Sequence, residues 1–274
     1  MVRDFHSPPI AVREYGTKGP FVVLLHGGPG AAGFMAPVAR ELADSFRVLE
    51  PFQRGNGGEP LTVARHVADL RQLIESRCKD ALPAIVGHSW GAMLALAYAA
   101  EYQDSIAALA LIGCGTFDLQ AREQLEATRS ERMNIEMQRR LQRLPKEFSD
   151  PDERLAAMGR LYQQLDSCDL IDSADETVLC NARAYEETWT DMLRLQEEGV
   201  YPAAFSNIRV PVLMLHGDFD PHPGQMIRDG LKHYTPQLEY LELAQCGHYP
   251  WLEKAAMENF YSTIRNWLAK QIAL

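Results

Sequence analysis

Ala84-Ile85-Val86-Gly87-His88-Ser89-Trp90-Gly91-Ala92-Met93-Leu94-Ala95-Leu96-Ala97-Tyr98 is the stretch on which the fold turns. The short apolar run behind Pro83 predicts a buried strand, and the alanine- and leucine-rich run after it predicts a helix. Between them lies Gly87-x-Ser89-x-Gly91, which at a strand-to-helix junction reads as a nucleophile elbow. So tight a turn strains the serine backbone and demands small residues two positions to either side. It lifts the serine hydroxyl above the sheet edge, in front of a helix N-terminus whose partial positive charge favours an oxyanion.

The chain outward from this stretch is enzyme-sized. Its 274 residues fit one large α/β domain with an insertion, or two small domains. Hydrophobic residues at 46% and charged residues at 23% are ordinary for a globular fold. A net charge of −10 argues against nucleic acid as a partner. Met1-Val2-Arg3-Asp4-Phe5-His6 is polar and no secretory apolar region follows it. No apolar run approaches membrane-spanning length. The five cysteines (Cys78, Cys114, Cys168, Cys180 and Cys246) are odd in number, scattered and free of any Cys-x-x-Cys. They indicate neither a disulfide framework nor a zinc site, and a cytoplasmic setting is expected.

Strands are expected at residues 10–15, 21–25, 46–50, 84–88, 106–112, 211–216 and 238–241, with helices at 36–44, 62–78, 226–234 and 255–272. Thr62 is the expected N-cap of the second helix. This alternation predicts a mostly parallel α/β sheet. From about Phe117 to Phe205 strand signals vanish, and residues 119–144, 153–165 and 177–198 read as charged amphipathic helices with Pro145 and Pro151 at a break. The expected organisation is a core of residues 1–116 and 206–274 with a helical cap, residues 117–205, over the strand ends.

A serine hydroxyl needs a base within hydrogen-bond reach, and the base needs an orienting acid. Loops after parallel strands share one rim, so distant residues can meet there. His248 follows Gly247 just past the last strand and is the expected base; the other histidines have bland readings as loop or core residues. The expected acid is Asp220, reaching further along its loop than Asp218, which is placed to cap the turn at Gly217. Asp118, after the strand ending at Ile112, is the third option. The order Ser…Asp…His is that of α/β-hydrolases. Oxyanion donors are expected at the backbone N–H groups of Trp90 and of Gly28, in the glycine loop His26-Gly27-Gly28-Pro29-Gly30.

With Gln53-Arg54-Gly55, these loops resemble the proline iminopeptidase-like branch of the α/β-hydrolase superfamily, over both halves of the core. The resemblance implies an α/β-hydrolase fold, a triad of Ser89, Asp220 and His248, oxyanion donors at Gly28 and Trp90, and removal of an N-terminal proline through an acyl-enzyme. The chain departs from the family pattern at Phe52, where an aspartate is usual, and at Gly58, where a serine is usual. Aminopeptidase members bind the substrate amine with cap glutamates, which the resemblance places at Glu186 and Glu187.

The expected activity is therefore cofactor-free and metal-free serine hydrolysis of a small acyl substrate, an ester or an N-terminal prolyl or aminoacyl amide. Carbon–carbon bond hydrolysis uses the same triad and stays open. Haloalkane dehalogenases and epoxide hydrolases are disfavoured, since their elbow carries an aspartate where this chain has Ser89. The rival from another class is a small-molecule receptor on the same fold with little turnover. Partners are expected to be a small molecule or short peptide, with no nucleic acid and no membrane; the oligomeric state is not legible.

Overall fold

The apolar runs of the sequence lie side by side at the centre of the molecule. The computed structural model describes residues 9–79, 81–171 and 178–272. Its strands are β1 (Val12–Tyr15), β2 (Phe21–Leu25), β3 (Ala31–Ala32), β4 (Arg47–Pro51), β5 (Ala84–His88), β6 (Ala108–Ile112), β7 (Leu179–Cys180), β8 (Val212–Gly217) and β9 (Leu238–Leu243). Its helices are α1 (Ala36–Leu42), α2 (Val63–Arg77), α3 (Trp90–Tyr102), α4 (Leu119–Arg132), α5 (Ile135–Glu147), α6 (Pro151–Leu165), α7 (Ala182–Glu197), α8 (Gly224–Tyr234) and α9 (Met257–Gln271). Seven strands form one sheet in the order β1-β4-β2-β5-β6-β8-β9, parallel except for β1.

The period-two alternation of β5 divides the core. Ile85 points to the face packed by Leu70 and Ile74 of α2, most of α3, and Ile227 and Leu231 of α8. Ala84 and Val86 point to the other face, packed by Val38 and Leu42 of α1 and Phe260, Ile264 and Leu268 of α9. Being covered on both faces is why these strands read as continuous apolar runs. Truncating Ile85, fully buried, to alanine removes about 2–5 kcal/mol of stability. Helix α3 is buried from Trp90 to Ala99, so it is apolar all round rather than striped. Thr62 caps α2 as expected, accepting from the Arg65 N–H.

Helices α4 to α7 lie in chain order between β6 and β8. Here the structure differs from expectation in three places. The helix expected over 119–144 is two helices, because Asn134 caps α5 by accepting from the Met137 N–H. The break expected between Pro145 and Pro151 is present: α5 carries Pro145 near its end and stops at Glu147, and Pro151 opens α6. The helix expected from 177 starts at Ala182, capped by Asn181, and Thr177 itself falls outside the described residues. A strand signal was not expected in this region, yet β7 pairs antiparallel with β3, Ala31 opposite Cys180. Two-residue strands carry no periodicity to read. The five cysteines are free. Among the described residues no helix is long and apolar enough to cross a membrane.

Candidate active site

Ser89 sits between β5 and α3 with φ 55° and ψ −118°. That left-handed backbone is unusual for a residue with a Cβ and is held by its surroundings. The Ser89 N–H donates to the Ile112 carbonyl at 2.8 Å, tying the elbow to β6. A Cβ on Gly87 would come 2.2 Å from the Gly91 carbonyl oxygen, and one on Gly91 would come 2.4 Å from that of Leu25. Both positions are therefore closed to any other residue, as the sequence pattern requires. The first N–H groups of α3, starting at Trp90, have no carbonyl within the helix to bond.

The glycine loop after β2 lies against this turn. A Cβ on Gly27 would stand 3.0 Å from the Ser89 Cβ. Gly28 takes φ +106° and Gly30 φ +78°. At Gly30 the Asn181 carbonyl oxygen would be 2.6 Å from a Cβ, and the Asn181 N–H donates to the Gly30 carbonyl at 2.7 Å. The glycine loop is thus stitched to the N-terminus of α7. Gln53 ties it to the elbow: its Nε2 donates to the His26 carbonyl at 2.8 Å, and its Oε1 accepts from Trp90 Nε1 at 2.7 Å. Arg54 beside it makes a buried, two-point ion pair with Asp69.

The Asp220 and His248 loops meet beneath the same rim. His248 Nδ1 donates to Asp220 Oδ2 at 2.7 Å, both residues being buried. An ionised carboxylate only accepts, so the proton sits on Nδ1 and Nε2 is the basic nitrogen. Asp220 Oδ1 accepts from the His222 N–H at 2.9 Å and from His222 Nδ1 at 2.8 Å. The His222 ring stacks on that of His248, centroids 4.3 Å apart and planes 16° apart. Burial pushes the Asp220 carboxyl up, but the imidazoles of His248, His222 and His216 outweigh it and hold the acid well below the ordinary carboxylate range. Burial pulls His222 down to about 4, so this second imidazole is neutral at physiological pH.

Two glycines make room for the pair. Gly113, at φ +51° just past β6, would place a Cβ 2.9 Å from His248 Nδ1 and 3.2 Å from Asp220 Oδ2. Gly247 would drive one to 2.3 Å from the Asp166 carbonyl oxygen, the group that accepts the His248 N–H at 2.9 Å. Beneath them, buried Glu253 accepts from the N–H groups of Cys168, Asp169 and Gly247. His88 is fully buried and donates from Nε2 to the His248 carbonyl at 2.9 Å, its pKa pulled well down by burial.

Asp218 and Asp118 have other duties. Asp218 accepts from the Cys246 N–H, and Asp118 caps α4 through the Ala121 N–H. Glu187 accepts from Arg183 Nε at 2.7 Å and from the Leu61 N–H at 2.9 Å, the ion pair following from their i, i+4 spacing. Glu186 is exposed on α7. The structure brings neither glutamate into contact with Ser89, Asp220 or His248. Among the described residues it shows no hydrogen bond between Ser89 Oγ and His248. Such contacts are often long before substrate binds.

His222, Gly113, His88 and Gln53 were not assigned to the site from sequence. For Gln53 the signal was present, since the glycine loop and Gln53-Arg54-Gly55 were read together. The sequence shows no metal-ligand cluster, yet Asp220, His222 and His248 bring ligand-type atoms within 4.8 Å of one another. Their N···O separations of 2.7 and 2.8 Å are hydrogen-bond lengths.

A family model described as "Alpha/beta hydrolase family" matches residues 22–259. A proline iminopeptidase of Lactobacillus helveticus (strain DPC 4571) is 27% identical over 280 residues, 92% of this chain and 90% of the relative. A thermophilic esterase from Thermogutta terrifontis superposes with a TM-score of 0.65 at 24% identity, over 96% of this chain and 94% of that one. A proline iminopeptidase from Mycobacterium smegmatis gives 0.62 at 19% identity, over 95% and 94%. The two structures share the fold with this chain.

Proposed function

We propose that this chain, which belongs to the alpha/beta hydrolase family, is a serine hydrolase acting on a small acyl substrate. The observation that carries the reading is the buried Asp220–His248 hydrogen bond on the loops flanking the strained elbow of Ser89. His248 Nε2 takes the proton of Ser89 Oγ as the oxygen attacks the substrate carbonyl, and Asp220 holds the imidazole in the required tautomer and stabilises the imidazolium. The developing oxyanion is bound by the backbone N–H groups of Trp90 and Gly28, in an orientation set in advance by the helix start and the glycine loop. His248 then returns its proton to the leaving group. A water, deprotonated by the same nitrogen, attacks the acyl-enzyme, and His248 passes that proton to Ser89 Oγ as the acid product leaves. No cofactor or metal enters these steps.

The substrate is an ester or an N-terminal prolyl or aminoacyl amide, and the cap favours the ester. Glu187 is engaged by Arg183 and the Leu61 N–H, and Glu186 is exposed, so neither is poised to bind an amine. Support for the amide comes from the kinship with proline iminopeptidases. The test is a side-by-side assay of wild type and Ser89→Ala on a proline arylamide and a short-chain aryl ester. Serine-dependent turnover of the ester alone is expected. A clear preference for the arylamide reverses the order and makes Glu186 and Glu187 the next variants.

A further inference from the structure

Away from Ser89, a cleft of about 700 Å³ opens between α4, α5, α6 and the acid loop. Arg132, Arg140 and Arg143 line it against a single carboxylate, Glu136. None of these arginines pairs with Glu136 among the described residues. Arg140 is taken by Glu147, and Arg143 Nε donates to the Arg139 carbonyl at 3.2 Å.

Arg132 differs from the other two. Its guanidinium carbon stands 3.7 Å over the ring of Phe219, which holds it in place. Its Nη1 is buried and has no hydrogen-bond partner among the described residues. The neighbouring carboxylate of Asp166 is already bonded by Arg129, and that of Asp220 by His248 and His222. Ser167, 9% exposed, lines the same cleft, and its Oγ is also buried without a partner among the described residues. Buried polar groups in folded proteins almost always have partners, and an exception points to something missing from the site. Here two residues that line one cationic cleft each carry a buried donor with no acceptor among the described residues.

We infer that this cleft binds the oxyanion group of a small molecule, a carboxylate or a phosphate, with Arg132 and Ser167 as its donors. A guanidinium presents paired N–H groups that match such an anion, and a hydroxyl adds a third. The inference does not rest on the hydrolase reading, since it concerns none of the residues assigned to catalysis. The cleft nevertheless adjoins both catalytic loops. Phe219 precedes Asp220, and Ser167 follows Asp166, whose carbonyl accepts the His248 N–H.

The test is calorimetric titration of inorganic phosphate and of succinate into wild type, Ser89→Ala, Arg132→Met, Arg132→Lys and Ser167→Ala. Saturable one-site binding of at least one anion is expected for wild type and, unchanged, for Ser89→Ala. Binding weakens by about tenfold or more in Arg132→Met, is only partly kept by Arg132→Lys, and weakens several-fold in Ser167→Ala. Should Arg132→Met fail to fold, Ser167→Ala and Arg132→Lys carry the test. The inference is overturned if neither anion binds wild type saturably, or if the folded variants bind as tightly as wild type. Phosphate binding without succinate, or the reverse, identifies which anion the site prefers.

Discussion

His222 and His248 lie face to face, 4.3 Å between ring centroids, each donating an Nδ1 proton to a different oxygen of Asp220. The acid thus divides its charge between the base and a second, neutral imidazole. His222→Phe keeps a stacked ring and removes one donor. Losing that donor leaves the carboxylate that orients His248 less firmly held and should lower kcat/KM by about fivefold, the worth of one hydrogen bond of about 1 kcal/mol. An unchanged kcat/KM would remove His222 from the site.

Gly113 is held in a left-handed conformation, and a Cβ there meets His248 and Asp220. Gly113→Ala should lower kcat by about a hundredfold by displacing the pair, at a stability cost of about 1–3 kcal/mol. Gly159, within α6 with open space around it, is the control. Gly159→Ala should keep full activity and gain up to about 1 kcal/mol. Equal activities of the two variants would remove Gly113 from the site.

Glu253 is fully buried and accepts from three backbone N–H groups that join the His248 loop to residues 168 and 169. Glu253→Ala leaves all three unsatisfied and should cost about 3 kcal/mol or more in urea unfolding. Glu253→Gln, which keeps one acceptor oxygen, should cost less. Equal losses would mean that burial alone, not the hydrogen bonds, matters at this position.

Buried histidines set the acid limit of stability, and burial lowers His88 and His216 as well as the three whose values are given next. Burial pulls His26, His66 and His222 from an ordinary value of 6.5 to about 4. Between those values the unfolded chain binds protons that the folded chain refuses, so stability falls as pH falls. Each group contributes up to about 1.4 kcal/mol per pH unit there, so His26, His66 and His222 together contribute up to roughly 4 kcal/mol per pH unit, and His88 and His216 add to the same loss. Asp220, depressed well below its ordinary value, adds loss in the same direction at lower pH. Urea unfolding at pH 7, 6 and 5 should show a steepening loss, with little change above pH 7 from these groups. A flat profile from 7 to 5 contradicts the buried neutral state.

The core was legible because strands covered on both faces must be apolar throughout, and the elbow was legible because a turn closed to side chains must be written in glycine. Asp220 was preferred over Asp218 for its reach along the loop; the Asp218 side chain was expected to cap the turn at Gly217 but accepts instead from the Cys246 N–H of the loop after β9, a contact only the fold creates. His222 escaped notice because only the folding-back of its loop brings a residue two positions past the acid onto the same carboxylate. Gly113 escaped because nothing local marks a glycine that clears space for residues more than a hundred positions away. Between β6 and β8 the break between Pro145 and Pro151 was legible from the prolines, whereas the further break at Asn134 was not, because an asparagine N-cap inside a charged helical run leaves the periodicity undisturbed. The cap glutamates came from resemblance, and local i, i+4 pairing claims Glu187 instead.

The most direct measurement of the central claim is intact-mass and peptide-mapping analysis after treatment with a fluorophosphonate. Wild type should gain one adduct, mapped to Ser89. Ser89→Ala should gain none, and His248→Ala should label slower by about a thousandfold or more, since the hydroxyl then lacks its base. Failure of the folded wild type to label, or labelling at Ser89 that does not depend on His248, contradicts the account. The first of these results leaves a binding protein on a hydrolase fold as the standing description.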